Sequence, residues 1–250
     1  MLVDLSTPHY QLVNSSTYEL VNYEPSMTPK LKNLITRSIT GILFVAIMTT
    51  CFLRPVAMIF VFTLITGMKI WEFTGLVNDR ENVTINRFIT TVAGVYFFLA
   101  VAGVNSGFIQ TNAVFVPYLL TIVYLFISNL YTQSKDAVND WAYTMLSQLY
   151  IALPLSMINV LAFRQSPDGV THFYYLLPLS IFIFLWTNDT GAYCTGSLFG
   201  KHKLFPRISP AKSWEGSIGG GVLVLIVATI IYFLESQGEN LSTLNLWEWL

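Results

Sequence analysis

One stretch of this chain gathers side chains suited to handling phosphate. Asp189 stands in Trp186-Thr187-Asn188-Asp189-Thr190-Gly191-Ala192-Tyr193, and Lys201, His202, Lys203, Arg207 and Lys212 follow, with Glu215 as the opposing acid. Cations clustered on one short connection can neutralise a polyphosphate, the charge stabilisation that phosphoryl and nucleotidyl transfer demand. Two plainer accounts fit the same charges. Basic residues gather on the cytoplasmic side of membrane proteins without any ligand, and each is drawn to anionic headgroups by about 1 kcal/mol. Charge alone does not choose among the three. Asp189 lies in an otherwise apolar segment, where an ionisable group is expensive and usually faces a cavity, a metal or a partner. The alternative is that it sits at the end of its span and meets water.

Ser209-Pro210 and Ser213-Trp214-Glu215 have helix-start chemistry. Serine caps orphan amides, proline suits the first helical position and an acid favours the first turn. A helix beginning there would aim backbone N–H groups at the membrane interface, where phosphate can sit. The glycines at 216, 219, 220 and 221 permit close helix packing.

Other polar residues read more quietly. Lys69 and Glu72 stand three apart, a spacing that pairs them on one helix face. Asp136 and Asp140 are expected to be solvated charges of a connection, since connecting segments run over the surface. His172 is expected on the surface opposite the basic connection. Cys51 and Cys194 fall in or beside apolar runs without metal-ligand spacing, and are expected to be buried thiols with no disulfide framework.

The elements that must position these residues are membrane spans. Of 250 residues, 54% are hydrophobic and 11% charged, with mean hydropathy +0.57; a soluble domain carries about a quarter charged residues. Net charge is −1, which gives no global basic surface for nucleic acid. Apolar runs cover 36–53, 55–77, 88–104, 113–131, 142–163, 174–195 and 216–234, with a further run from Leu244. Each is near the roughly 20 residues that cross a bilayer. Inside hydrocarbon every backbone polar group must be paired within its own segment, and the runs are too long and uniform for barrel strands. The expected fold is an all-α, polytopic transmembrane bundle of about seven spans. Arg54-Pro55 divides the first two.

Placing the N-terminus in the cytoplasm puts eleven of the 13 basic residues on that side: Lys30, Lys32, Arg37, Lys69, Arg80, Arg87, Lys135, Lys201, Lys203, Arg207 and Lys212. Arg54 and Arg164 lie opposite. That asymmetry sets the expected orientation, with the 196–215 loop cytoplasmic. Residues 1–29 are polar and hold Asp4, Glu19 and Glu24 but no Lys or Arg, unlike a signal peptide. They are expected to form a tail, with a short amphipathic piece around Tyr18 to Val21, ahead of a membrane domain at 30–250.

The runs Asn188-Asp189-Thr190-Gly191-Ala192-Tyr193, Gly200-Lys201-His202-Lys203-Leu204 and Ile208-Ser209-Pro210-Ala211-Lys212-Ser213-Trp214-Glu215-Gly216 resemble the phosphatidate cytidylyltransferase family. That family shows Asn-Asp-Thr followed by Ala-Tyr, then Gly-Lys-His-Lys-Leu, then Ser-Pro-Lys-Lys-Thr-Trp-Glu-Gly. Leu31-Lys32, Arg37 and Trp71-Glu72 match it more weakly. Ala211 stands where the family often has lysine, and Ser213, which keeps a hydroxyl, where it often has threonine. The family's Lys-Asp pair followed by Pro-Gly-His-Gly-Gly and Asp-Arg-x-Asp does not occur here, so the domain is expected to be truncated at its C-terminus and inactive alone.

The resemblance implies an integral protein of the cell inner membrane that makes CDP-diacylglycerol and pyrophosphate from CTP and phosphatidate with Mg²⁺. It implies Asp189 as metal or nucleotide organiser. Lys201, Lys203 and Lys212 would neutralise phosphate, with His202 and Arg207 beside them in the substrate site. Ser209, Ser213 and Glu215 would shape the loop and helix start, with Lys212 and Glu215 counted beside Asp189 in the catalytic set. Membrane lipids are expected partners, and a homodimer is compatible with it. Two other classes share some features. A CTP-dependent dolichol or phytol kinase has similar Asp-Thr, Gly-Lys and Lys-Ser/Thr-x-Glu-Gly elements, though Ser209-Pro210 and Trp214 favour the cytidylyltransferase. A transporter or non-catalytic membrane protein would not need the charge gathered on one loop, and no pair of broken helices marks a midplane site.

Overall fold

A computed structural model describes residues 29–131, 136–166, 168–236 and 246–249. The tail with its amphipathic piece at 18–21, and Lys135, lie outside the described residues, as do the side chains of Lys30, Lys32 and Arg37. The chain divides into two units, Met1–Ala46 and Ile47–Leu250. Of the first, the leading part of α1 (Pro29–Phe52) is described, with Ile39, Ile42, Leu43 and Phe44 all exposed.

The second unit is a helical bundle. After the last turns of α1 come α2 (Pro55–Asn78), α3 (Arg87–Asn105), a 3₁₀ turn leading into α4 (Val116–Tyr131), and α5 (Ala137–Ser147). A π-helical turn, Gln148–Ala152, joins α5 to α6 (Leu153–Ala162). Then follow α7 (Leu176–Phe199), α8 (Trp214–Ser236) and the short α9 (Leu246–Trp249). Two antiparallel ribbons sit in the connections: β1 (Phe163–Gln165) with β2 (Thr171–Phe173), and β3 (Lys203–Phe205) with β4 (Ser209–Ser213). The bundle is all-α apart from these.

Five helical segments among the described residues are long and apolar enough to cross a membrane: Pro55–Asn78, Arg87–Asn105, Asn112–Tyr131, Ala137–Ala162 and Trp214–Ser236. Among the described residues these account for five of the about seven spans expected. Among the described residues the apolar part of α1 is Ile39–Phe52. α7 has the length but carries Thr187, Asn188, Asp189 and Thr190 in its middle, which lowers its hydropathy. Pro55 starts α2 as expected, with Arg54 extended at φ −132°, ψ 123°.

Helix ends alternate between two layers. At one end Phe52, Phe62 and Phe182 stack with centroids 5.3–5.7 Å apart, among the buried Met58, Phe98, Ile158 and Leu179. Such aromatic pairs add about 0.5–1.5 kcal/mol beyond area burial. At the other end Val77, Val83 and Ile85 close against Phe73 and Tyr143. Polar side chains inside the bundle mostly satisfy themselves on their own helix. Thr66 Oγ1 donates to Phe62 O and Thr74 Oγ1 to Ile70 O, each at 2.7 Å, and Ser156 Oγ to Ala152 O at 2.6 Å. This back-bonding lets hydroxyls enter an apolar bundle without a partner from elsewhere. Gln148, on the π turn, instead crosses to α3 and donates to Thr90 O at 3.0 Å.

The α2–α3 connection is tied down by side chains. Asn78 exchanges two hydrogen bonds with the backbone of Ile85, and Arg80 Nη1 donates to Tyr143 OH at 2.8 Å. Asp140 overturns its expected place as a solvated charge: it is fully buried and accepts from Thr84 N at 2.7 Å. Asp136 caps α5 by accepting from Asn139 N. Cys194 is exposed on α7, against the expectation of a buried thiol, while Cys51 is half-buried; both are free. His172 is exposed on β2, as expected.

Asp140→Ala removes a buried, charge-assisted acceptor and should cost about 1.5–3 kcal/mol, whereas Asp136→Ala, a lost exposed cap, should cost ~1 kcal/mol. Thermal unfolding of the two variants in detergent checks this. Equal shifts in Tm would mean that Asp140 does not hold the α2–α3 connection.

Candidate functional site

α7 and α8 form an antiparallel pair whose backbones nearly touch. A Cβ on Gly216 would lie 2.8 Å from Ala192 O, and one on Gly220 2.8 Å from Asn188 O. Only glycine allows that approach. Thr195 bridges the two helices by donating to Gly191 O at 2.7 Å and to Gly216 O at 3.3 Å. Sequence reasoning missed Thr195, which looks like any small polar residue of an apolar run until α8 is laid against it.

The close pair fixes what connects it. β3 and β4 form a hairpin with Lys203 opposite Ser213 and Phe205 opposite Ser209, irregular between them. Ser209-Pro210 therefore does not begin a helix; it lies in β4, and α8 starts at Trp214. Pairing with β3 takes those residues into extended backbone, which a proline at a ribbon edge tolerates. The second half of the helix-start reading holds. Ser213, 5% exposed, caps α8 by accepting from Gly216 N at 3.1 Å. It also stands 2.8 Å from where a Cβ on Gly200 would be, so Gly200 is a matter of space.

Glu215 holds the connection from inside. Its carboxylate accepts from Lys201 N at 3.2 Å and from His202 N at 3.2 Å, and meets His202 Nδ1 at 2.6 Å. Trp214 N donates to His202 O at 2.9 Å. This carboxylate is thus a clamp on the Gly200–Lys203 turn. The clamp consumes the one acid of the loop inwardly, and Lys201, Lys203, Arg207 and Lys212 remain exposed. Among the described residues none of these four makes an ion pair.

Asp189 stands apart. It is exposed on α7, ten residues before Phe199, or ~15 Å along the axis from the hairpin at 1.5 Å per residue. Among the described residues its carboxylate has no hydrogen bond or ion pair, and no group of three or more His, Cys, Asp or Glu side chains could hold a metal. The donor set fits Mg²⁺ only in the form that ion commonly takes, with one or two carboxylates and the remaining positions filled by water and substrate phosphates. Lys69 and Glu72 do pair, at 2.8 Å on α2.

Apolar helices long enough to span, an interhelical contact of bare backbones and a basic hairpin at its end define an integral membrane protein. The chain belongs to the cytidylyltransferase family, whose sequence profile matches residues 35–248. Similar relatives include the phosphatidate cytidylyltransferase of Haemophilus influenzae, 33% identical over 174 residues that are 65% of this chain and 59% of that protein. Those of Staphylococcus haemolyticus (28% over 180 residues, 68% and 64%) and Staphylococcus aureus (26% over 201 residues, 80% and 72%) are also similar. The chain thus spans about three fifths of the length of the first two.

Glu215→Ala should free the Gly200–Lys203 turn, raising amide exchange at Lys201 and His202 by at least about tenfold, the factor that 1.4 kcal/mol represents. Glu215→Gln, which keeps one acceptor oxygen, should fall between. Unchanged exchange in Glu215→Ala would show that the hairpin holds its shape without the clamp.

Proposed function

We propose that this protein is a CTP:phosphatidate cytidylyltransferase, acting on a membrane lipid at the cytoplasmic face of the cell inner membrane. The observation that carries the reading is the β3–β4 hairpin, whose four exposed cations are held at the end of the α7–α8 pair in a chain of the cytidylyltransferase family. Relatives named phosphatidate cytidylyltransferase support the choice of substrates.

In the proposed reaction a phosphate oxygen of phosphatidate attacks the α-phosphorus of CTP. The bond from that phosphorus to the α,β-bridging oxygen breaks, CDP-diacylglycerol forms and pyrophosphate leaves with the electron pair. The chain's residues would supply binding and charge. Lys201, Lys203, Arg207 and Lys212 would neutralise the triphosphate and the lipid phosphate, which otherwise repel one another. Ser209 and Ser213 would line the hairpin, Ser213 through its cap. Glu215 would keep Lys201, His202 and Lys203 oriented, a positioning role. A triphosphate reaching from the hairpin toward Asp189 would let that carboxylate hold Mg²⁺, an ion that neutralises phosphate charge when bound. Holding both phosphates at one interface converts an encounter of like-charged reactants into a local step.

The orientation proposed, with the N-terminus and hairpin cytoplasmic, rests on eleven of 13 basic residues and the positive-inside bias. A cysteine placed at His202 should be labelled from the cytoplasmic face of sealed vesicles; labelling from the opposite face alone would reverse the topology.

Joined to a segment carrying the family's Lys-Asp, Pro-Gly-His-Gly-Gly and Asp-Arg-x-Asp elements, the protein in membranes should convert labelled CTP and phosphatidate to CDP-diacylglycerol and pyrophosphate. Asp189→Asn should lower turnover by at least about 100-fold, and Lys212→Ala should mainly raise the KM for CTP, while Asp136→Asn changes little. Transfer of the γ-phosphate to a polyprenol or phytol would replace this reading with a lipid kinase.

A further inference from the structure

Three successive glycines, Gly219, Gly220 and Gly221, interrupt the first half of α8. α7 accounts for two of them. A Cβ on Gly219 would sit 2.3 Å from Thr195 Oγ1, and one on Gly220 2.6 Å from Asn188 Oδ1. Among the described residues, a Cβ on Gly221 would meet nothing within 4 Å. Glycine weakens a helix relative to alanine, and no neighbour demands it at this position. What the missing side chain leaves is a groove of about 570 Å³ between α7 and α8, lined by Ile181, Phe184, Leu185, Asn188, Val224 and Leu225 beside Gly221.

Its depth and polarity are ordered. Asn188 and Gly221 mark the end nearer the hairpin, and Ile181 and Leu225 the farther end. Asn188 precedes Phe199 by eleven residues and Gly221 follows Trp214 by seven, so the groove starts about 10–16 Å beneath the hairpin at 1.5 Å per residue. Half of a bilayer's hydrocarbon core is about 15 Å. The recess therefore lies at acyl-chain depth, its Asn188 end beneath exposed Lys201, Lys203, Arg207 and Lys212.

We propose that this groove seats an acyl chain of the phospholipid substrate while its phosphomonoester meets the basic hairpin, and that Gly221 sets how much chain is admitted. The proposal rests on the reading of the reaction given above. Positive charge above an apolar recess matches an anionic headgroup above a hydrocarbon tail. A second protein copy would put its own apolar surface against the recess and leave the four cations without a counter-charge.

The test uses the protein in bilayer nanodiscs without CTP, so it does not depend on turnover. Phosphatidate and phosphatidylcholine probes with a diazirine in mid-chain are photolysed, and labelled peptides are mapped. The phosphatidate probe should mark peptides containing Ile181–Leu185 and Val224–Leu225 about fivefold more than the Leu119–Val123 region of α4, where Leu119, Leu120 and Val123 are exposed. Gly221→Leu should remove most of that excess and Gly221→Ala little of it. If Gly221→Leu does not fold, Leu225→Trp fills the same recess from one turn away. Even labelling of both regions, equal labelling by phosphatidylcholine, or indifference to both blocking variants would overturn the proposal. So would efficient disulfide dimers of Gly221→Cys, which would make the groove a contact between copies. Groove labelling in a protein that transfers the γ-phosphate of CTP to a polyprenol or phytol would support the groove and defeat the proposed reaction, and CDP-diacylglycerol synthesis with even labelling would do the reverse.

Discussion

The approach of α7 to α8 carries the site. With Gly216 and Gly220 set against carbonyls of Ala192 and Asn188, two main chains come into van der Waals contact. Contact at that range is one of the few sources of helix association in lipid, where apolar side chains gain nothing by leaving their solvent. The hairpin, the cap on Ser213 and the clamp by Glu215 all hang from this pair. Their geometry is set by where Phe199 ends one helix and Trp214 begins the next. A side chain between the two backbones would move every cation of the hairpin at once.

Elsewhere the bundle solves a different problem, that of carrying polar groups through hydrocarbon. Thr66, Thr74 and Ser156 turn their hydroxyls back onto carbonyls of their own helices. Gln148 and Asp140 instead reach across to the backbone at Thr90 and Thr84. The first group adds no tie between elements, while the second pins α5 and the π turn to α3 and its preceding connection. Stability and register are thus assigned to different residues, and the connection locked by Asp140 lies well apart in sequence from the basic hairpin.

Much of this was legible in the sequence because its causes are local. Run length and hydropathy identify spanning helices, proline after Arg54 divides two of them, and Lys69 with Glu72 pairs at a spacing fixed by helix geometry. The motif at 186–216 identifies the family before any fold is known. What was not legible depends on chain brought in from afar. Ser209-Pro210 carries the same helix-start signal as Ser213, and only pairing with β3 makes it a strand. Asp140 reads as a loop charge until Thr84, 56 residues earlier, donates to it. Cys194 reads as buried because its neighbours are apolar, yet it is exposed. Among the four glycines of α8, composition cannot separate those that meet α7 from Gly221, which meets nothing.

Glu215 has a further effect through its own charge. By turning inward to Lys201 N, His202 N and His202 Nδ1, it gives up the screening it could have offered outward. The hairpin then projects four positive charges with no acid among the described residues to offset them in an ion pair. At physiological ionic strength a field of that kind is felt over about 8 Å, and at ten millimolar salt over about 30 Å. The same loop that sits passively in a crowded electrolyte becomes a long-range collector of anions in a dilute one. A glutamate that appears only to hold a turn therefore also determines how strongly this face of the protein responds to the salt around it.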